Sequence, residues 1–235
     1  VSQTVYVDTR IVEEAICQDA TNNCQFTYSS SATPAITAFS AASVIPGASL
    51  TLTGSGLESS PAGSTPIVTI DGVACTVTSS SDTEITFTIP ASITPNKKAV
   101  VIVTVPGKGY PQFDASITNN IAVIPALSSS SPATGSLGGV LLTVKGVGFK
   151  TGASVLVGST PCEIQSLTSD TIVCKATSAG EVSLSYNDIT GVKCSSSCSL
   201  SLLAALTPTV TSATYTSSVT DLSITFTFVG TQLNL

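Results

Sequence analysis

The stretch LTLTGSGL at residues 50–57 alternates apolar and polar side chains and ends in Gly-Ser-Gly followed by leucine. Alternation with a period of two residues is typical of a β-strand that buries one face. Gly54 and Gly56 allow a bulge or a positive φ where the chain leaves the sheet. Leu57 is expected to close the end of the core. The stretch therefore predicts a strand that enters a β-sandwich.

A second copy of this stretch, LTVKGVGF, lies at residues 142–149. Each copy follows a proline-led segment, PAI at residues 34–36 and PAL at residues 125–127, and each leads through a further strand-like run to a cysteine. The copies stand about 90 residues apart, roughly the length of one small sandwich domain. This repetition predicts two β-sandwich domains, at residues 34–124 and 125–207.

Both ends of the chain resemble parts of the same unit. PTV at residues 208–210 and FTFVG at residues 226–230 repeat the opening of a domain, so residues 208–235 are expected to form the first strands of an incomplete one. CQFTY at residues 24–28 resembles the end of the second repeat. Residues 1–33 are therefore expected to be the last strands of another incomplete domain.

Alternating runs occur along most of the chain, and helical periodicity is almost absent. Each run is short and bounded by Gly, Pro, Ser or Asp, as in strands joined by turns. The dipeptide Asp71-Gly72 is a strong signal for a β-hairpin turn. The sequence therefore predicts an all-β fold of tandem immunoglobulin-like sandwiches.

Six of the seven cysteines form three closely spaced pairs in a chain rich in Ser and Thr. Such spacing fits hairpin-type disulfides and an oxidising compartment. The remaining cysteine, Cys75, is expected to be a free thiol with a small buried apolar side chain. A four-cysteine zinc site is the alternative, although the CxxC spacing that such sites prefer is absent. The predicted structural disulfides join Cys17 to Cys24, Cys162 to Cys174, and Cys194 to Cys198.

Together, the proline-led opening, the Leu-x-Leu-x-Gly-x-Gly-Leu/Phe signature, the cysteine after the third strand and Ser-Asp-Thr-x-Ile resemble the extracellular type of IPT/TIG domain. The resemblance implies an immunoglobulin-like sandwich of the E-set class. It also implies a disulfide between Cys162 and Cys174, where extracellular members carry one. In the first repeat Phe87 stands in the partner position of Cys75, which departs from that pattern.

Charge argues against nucleic acid as a partner. Eight Lys and Arg against fourteen Asp and Glu give a net charge of −6, and the basic residues are scattered. Nucleic-acid binding needs a clustered basic face that displaces counterions from the phosphates. No apolar run approaches the roughly 20 residues of a membrane-spanning helix, so no span is expected in this segment.

Catalytic chemistry is not expected, and neither is a metal ion or a cofactor. The chain has no His, which removes the commonest general base and zinc ligand. The closest acidic pairs are Glu13 with Glu14 and Asp82 with Glu84. Neither belongs to a calcium-loop motif, and both are expected on solvated strand or loop edges.

Four tracts of consecutive serines suit either of two roles. They can carry O-linked glycans, or they can form flexible polar turns. The sequence does not separate the two. The tracts are at residues 29–31, 79–81, 128–131 and 195–197.

These observations predict a structural or adhesive protein at the cell surface or outside the cell, whose partners are copies of itself in a fibre or stalk. An isolated pair of strands cannot bury its apolar face. Residues 208–235 are therefore expected to pack with residues 1–33 of a neighbour or to pair with its open edge, and such a head-to-tail contact builds an open filament. A receptor ectodomain that binds a protein ligand is the alternative, and cropping from a longer chain is the alternative explanation of the ends. The apolar residues of the assembly strand within residues 208–235 are Leu222, Ile224, Phe226 and Phe228.

Overall fold

A computed structural model describes the backbone of residues 4–5, 26–27, 32–196, 198–217 and 222–229. Side-chain burial is described for residues 32–196, 198–214, 216 and 227. Throughout these residues the regular structure is β-strand, apart from one short 3₁₀ helix, Ala204–Leu206. The predicted all-β fold is confirmed.

The described residues fall into two compact units. The first contains those within residues 1–42, 49–88 and 100–120, and the second contains those within residues 43–48, 89–99 and 121–235. Two segments of the first sequence repeat, 43–48 and 89–99, thus belong to the second unit.

The strands up to residue 124 form one two-stranded sheet and two five-stranded sheets. The two-stranded sheet is β1-β2, and the larger sheets have the orders β11-β3-β5-β9-β8 and β4-β12-β10-β6-β7. The strands are β1 (Thr4–Val5), β2 (Phe26–Thr27), β3 (Ala35–Phe39), β4 (Ser43–Val44), β5 (Ser49–Ser55), β6 (Ile67–Ile70), β7 (Val73–Ala74), β8 (Thr76–Ser80), β9 (Glu84–Thr88), β10 (Asn96–Thr104), β11 (Gln112–Phe113) and β12 (Asn120–Val123).

The second repeat forms one hydrogen-bonded path, β13-β15-β18-β17-β16-β19-β21-β14, with β20 paired to β19. A separate two-stranded sheet, β22-β23, follows it. The strands are β13 (Ala126–Ser131), β14 (Thr134–Ser136), β15 (Val140–Val147), β16 (Ala153–Val157), β17 (Thr160–Leu167), β18 (Thr171–Ala176), β19 (Gly180–Tyr186), β20 (Ile189–Lys193), β21 (Ser199–Leu203), β22 (Thr209–Ser217) and β23 (Leu222–Val229).

Alternation along the strands produces the core of the first unit. In β5, Leu50 and Leu52 are buried while the threonines between and after them are only partly covered. In β9, Ile85 and Phe87 follow the same rule. The turn between β6 and β7 is the predicted Asp71-Gly72 hairpin, and both of its residues have positive φ.

The core of the second unit draws on both halves of the hydrogen-bonded path. Strand β17 joins these halves, because its first residues pair with β16 and its later residues pair with β18. The residues of the buried cluster are Leu127, Leu142, Val144, Phe149, Val155, Val157, Cys162, Ile172, Cys174, Ala176, Val182, Leu184, Cys198 and Leu200.

Candidate functional site

The Gly-x-Gly segment binds through its backbone to the Ser-Asp-Thr segment of its own repeat. In the first repeat, the Gly54 N–H donates to the Thr83 carbonyl at 2.8 Å, and the Leu57 N–H donates to the Asp82 carbonyl at 2.9 Å. Leu57 itself is fully buried, as predicted. The two sequence signatures therefore hold each other in place at the end of the core.

The second repeat uses the same pair of bonds. The Gly146 N–H donates to the Asp170 carbonyl at 2.9 Å, and the Phe149 N–H donates to the Ser169 carbonyl at 3.0 Å. Gly148 has a φ of +76°, the left-handed conformation that glycine adopts without strain. The glycines, predicted to permit a turn out of the sheet, have that role here.

A disulfide crosses the second repeat where β17 and β18 meet. Cys162 and Cys174 are both buried, and their sulfur atoms are 2.05 Å apart with 5.5 Å between the Cα atoms. Ile164, two residues after Cys162, lies opposite Cys174 in the strand register. The disulfide thus links β17, the strand that pairs with both halves of the sheet path, to its neighbour β18.

The first repeat has the same register with different side chains. Val77, two residues after Cys75, lies opposite Phe87, and both repeats have an irregularity immediately after this pair. Phe87 is fully buried in the place that a second cysteine would take. Cys75 itself lies between β7 and β8, the two short strands that take the place of the single strand β17 in the second repeat. We call this strand, continuous in the second repeat and interrupted in the first, the crossing strand.

Cys75 is a free thiol, but its side chain is half-buried. The expectation of a small buried apolar side chain is therefore wrong. The side chain lies at the break between two short strands, where the sheet does not cover it completely. Burial raises the pKa of the Cys75 thiol to about 11, and the Sγ–H points to the Val73 carbonyl at 3.9 Å.

A second disulfide joins Cys194 to Cys198, with 5.8 Å between their Cα atoms. Cys194 forms a parallel bridge with Leu127 of β13. The small loop that this disulfide closes therefore lies beside the first strand of the repeat. The predicted partners Cys17 and Cys24 lie outside the described residues.

Of the two acidic pairs that the sequence singled out, Asp82 with Glu84 lies among the described residues. The Asp82 carboxylate is exposed and 4.0 Å from the Lys108 ammonium, which also donates to the Gly56 carbonyl at 3.0 Å. Glu13 and Glu14 lie outside the described residues. Among the residues that are described, no group of three potential metal ligands comes together.

The serine tract at residues 128–131 lies on β13, and three of its four residues are exposed. Flexible turns were one of its two predicted roles, and for this tract that role is wrong because its backbone pairs with β15. Ser79 and Ser80 likewise lie on β8 and are exposed. Residues 29–31 and 197 lie outside the described part of the chain.

Two apolar surface features occur in the first unit. One is an open pocket of about 310 Å³, bordered by Phe39 and without a charged side chain in its lining. The other is the outward face of the β6-β10 pair, where Ile67, Val100 and Ile102 are 58%, 38% and 45% exposed. The pocket is lined by Ala38, Phe39, Ala41, Ala42, Ile117, Thr118 and Asn120.

The four residues of the predicted assembly strand lie at alternate positions of β23, which pairs antiparallel with β22. Their side chains lie outside the described part of the structure. On the opposite strand, Val210 is 57% exposed. Within the described residues, no helix has the length and hydropathy needed to cross a membrane.

Comparison with known proteins places this architecture in one family. The IPT/TIG domain model matches residues 34–121 and 125–202, which is more than half of the chain. No curated protein sequence matches the chain.

Several solved structures are similar in fold. The extracellular region of plexin A4, domains 1 to 10, is 18% identical over 77% of this chain and 16% of its own, with a TM-score of 0.33. Surface glycan-binding protein PbSGBP-B from Prevotella bryantii is 14% identical over 61% of this chain and 35% of its own, with a TM-score of 0.35. A Bacteroides ovatus SGBP-B in complex with a mixed-linkage heptasaccharide is 16% identical over 74% and 45%, with a TM-score of 0.30.

The chain spans less than half the length of each of these structures. At such TM-scores the likeness adds no argument about function, so the assignment rests on the two family matches, whose residues include both Gly-x-Gly segments and the Cys162–Cys174 bridge. The chain belongs to the IPT/TIG domain family.

Proposed function

We propose that this chain is a non-catalytic structural or adhesive repeat, a protomer of an extracellular fibre or stalk that assembles head to tail. Residues 208–235 of one copy would complete the strands that residues 1–33 contribute in its neighbour. The observation that carries the proposal is the β22-β23 sheet, which has two strands among the described residues, where each complete repeat has nine or ten. A two-stranded hairpin is at best marginally stable by itself in water.

The proposed contact is heterologous, because different segments of the two copies would meet. Heterologous contacts build open filaments unless their rotation closes a ring. The disulfides at Cys162–Cys174 and Cys194–Cys198 support a location outside the cell or on its surface, because such bonds persist in oxidising compartments. The exposed serines of β13 are candidate positions for O-linked glycans.

Sedimentation velocity and electron microscopy of the full chain test the proposal. We expect filaments or a mass that rises with protein concentration. A variant that ends at residue 207 retains both complete repeats and should remain monomeric. Filaments of unchanged length from this variant would contradict strand exchange.

The second candidate function is a receptor ectodomain that binds a protein ligand. The outward apolar face of β6 and β10 favours it, because Ile67 and Ile102 lie on the same side of neighbouring strands. Under this function, Ile102→Ser should reduce binding of the labelled protein to cell surfaces, and the variant that ends at residue 207 should bind as the full chain does. Under the fibre proposal, Ile102→Ser should bind as the full chain does, and the variant that ends at residue 207 should bind less.

A further inference from the structure

The first repeat carries a flat face of β-branched side chains on the outside of its β6-β10 pair. Its five residues point away from the core, because the residues between them are buried. Branching at Cβ restricts χ1, so these side chains lose little conformational entropy when another surface covers them. We call this surface the β-branched face, and it consists of Ile67, Thr69, Val100, Ile102 and Thr104.

The second repeat has an equivalent strand pair, β16 with β19, and its register can be aligned from the cysteines. Val68 lies seven residues before Cys75, and Val155 lies seven residues before Cys162. Val68 pairs with Val103 and Val155 pairs with Leu184, which fixes the counterpart of every residue of the face. The counterparts of Ile67, Val100 and Ile102 are Ser154, Glu181 and Ser183, respectively. The exposed apolar residues are thus a property of the first repeat and not of the fold.

The corresponding face of the second repeat is charged. The Lys193 ammonium lies 2.7 Å from the Glu181 carboxylate, and both side chains are more than half exposed. Two copies of that face would bring like charges together, which disfavours association in a chain of net charge −6. The β-branched face has no charge among its five residues, and each residue can meet its own copy. Apolar groups pack together, and a threonine hydroxyl both donates and accepts.

The size of the β-branched face limits what it can hold. Stable complexes bury about 20–30 residues on each side, so a face of five residues is too small to keep two isolated copies together. Weak contacts between two rows of copies act together, because each contact after the first is effectively intramolecular. A fibre supplies such rows, with one face for each copy.

We infer that the β-branched face is a lateral contact with the same face of a second copy, and that it joins fibres side by side. The inference takes its occupant from the proposed self-association, and it does not use the strands at either end of the chain. Two sheet faces of this kind pack about 10 Å apart, with their strands aligned within about 30°. The variant that ends at residue 207 should therefore be monomeric in solution and still associate when many copies are fixed to one surface.

Beads coated with the variant that ends at residue 207 test the inference. This variant keeps the strands of both repeats, because β22 and β23 pair only with each other among the described strands. The protein is biotinylated through a flexible C-terminal linker and bound at high density to streptavidin beads. Dynamic light scattering measures the size of the bead clusters. We expect clusters with the otherwise unchanged variant and dispersed beads when it also carries Ile102→Ser.

Each substitution introduces the residue of the other repeat, so the fold should accept it. Ile102→Ser introduces the counterpart serine, and Val100→Glu introduces the counterpart glutamate. Both should slow clustering by about ten-fold or more, because a two-fold contact loses two apolar side chains. Added salt should restore part of the clustering with Val100→Glu, where like charges meet, and none with Ile102→Ser. The matched control is Leu141→Ser on β15, where the leucine is 54% exposed, and it should cluster as the unsubstituted protein does.

Beads coated with the full chain separate this inference from the fibre proposal. Full-chain beads with Ile102→Ser should still cluster through the head-to-tail contact. If the beads with the shorter variant cluster equally with and without Ile102→Ser, the lateral contact is wrong. If they stay dispersed in both cases, it is also wrong, and the face is left to a different protein, as the receptor function requires. Clusters of the shorter variant that depend on Ile102, together with a full chain that is monomeric in solution, would support the lateral contact and contradict the head-to-tail assembly.

Discussion

The two complete repeats place different chemistry at one position of the same strand register. In the second repeat a cystine, Cys162–Cys174, joins the crossing strand to its neighbour. In the first repeat Phe87 fills the place of the second cysteine, and Cys75 is free. The opposing pairs, Val77 with Phe87 and Ile164 with Cys174, correspond in both repeats.

This difference shows that the register does not depend on the disulfide. The alternating strands and the bonds from Gly-x-Gly to the Ser-Asp-Thr segment are common to both repeats, and they suffice to position β8 against β9. The cross-link is an addition to an already specified arrangement. It accompanies a continuous crossing strand, β17, where the first repeat has two short strands, β7 and β8.

The largest effect is expected from emptying the place that Phe87 fills. Phe87→Ala should destabilise the first repeat by about 3–5 kcal/mol, because the ring is fully buried and the cavity closes only in part. Hydrogen exchange of β9 amides, compared with β18 amides in the same sample, measures the change repeat by repeat. Phe87→Leu, which keeps most of the apolar volume, should cost less than about 1.5 kcal/mol. Equal protection of β9 in Phe87→Ala and wild type would contradict the assigned role.

Removing the cystine should have the next largest effect. In Cys162→Ala/Cys174→Ala, the unfolded chain regains the freedom that the 12-residue separation restricts, which costs about 3 kcal/mol. The strand pairing of β17 with β18 should survive, and protection of β18 should fall while that of β9 is unchanged. Cys194→Ala/Cys198→Ala is the control for a much shorter loop, with an expected cost of about 2 kcal/mol. Loss of the β17-β18 pairing in the first variant would show that the bridge does specify the register.

The strands could be predicted from the sequence because the residues of each buried face are apolar and stand at alternate positions of a short run. Leu50, Leu52, Ile85 and Phe87 are buried as this pattern requires. The family resemblance is confirmed by two matching domains. The individual partners of the Gly-x-Gly segment were not predicted, because backbone hydrogen bonds between distant segments leave no trace in residue type.

Edges were the least predictable feature. The serines at residues 128–131 suggest a turn by composition, yet pairing with β15 makes them a strand. The exposure of Cys75 depends on where the crossing strand breaks, and the sequence around it reads as one continuous run. The first strand of each repeat pairs at its outer edge with a segment 77 residues away in the first repeat and 67 residues away in the second, which no local pattern reports.

A third change should give the first repeat a disulfide equivalent to the one in the second repeat. Phe87→Cys places a thiol in the position of Cys174, and we expect it to form a disulfide with Cys75. The cross-link should offset most of the loss of the phenylalanine ring and leave a net cost of about 1 kcal/mol. Peptide mapping by mass spectrometry without reduction identifies the bond. The double variant Cys75→Ser/Phe87→Cys cannot form it and should be less stable, and if two free thiols persist in Phe87→Cys under air, the two positions are not equivalent.

The smallest change concerns the reactivity of Cys75 and leaves the fold untouched. Because burial raises its pKa to about 11 from an ordinary value of 9.0, the thiol of the folded chain stays protonated where an exposed thiol begins to ionise. Alkylation by iodoacetamide at pH 8 should therefore be about 100-fold slower in the folded chain than in urea, since only the thiolate reacts.

The proton is held more tightly in the folded state, so any contribution to stability is complete below pH 9 and is lost as the pH rises toward 11. Peptide-level mass spectrometry follows the Cys75 adduct over time from pH 7 to pH 10. A rate that levels off near pH 9 in the folded chain would mean that the break between β7 and β8 exposes the sulfur to water. The environment of Cys75 would then be that of an ordinary surface cysteine and would not resemble that of the cystine in the second repeat.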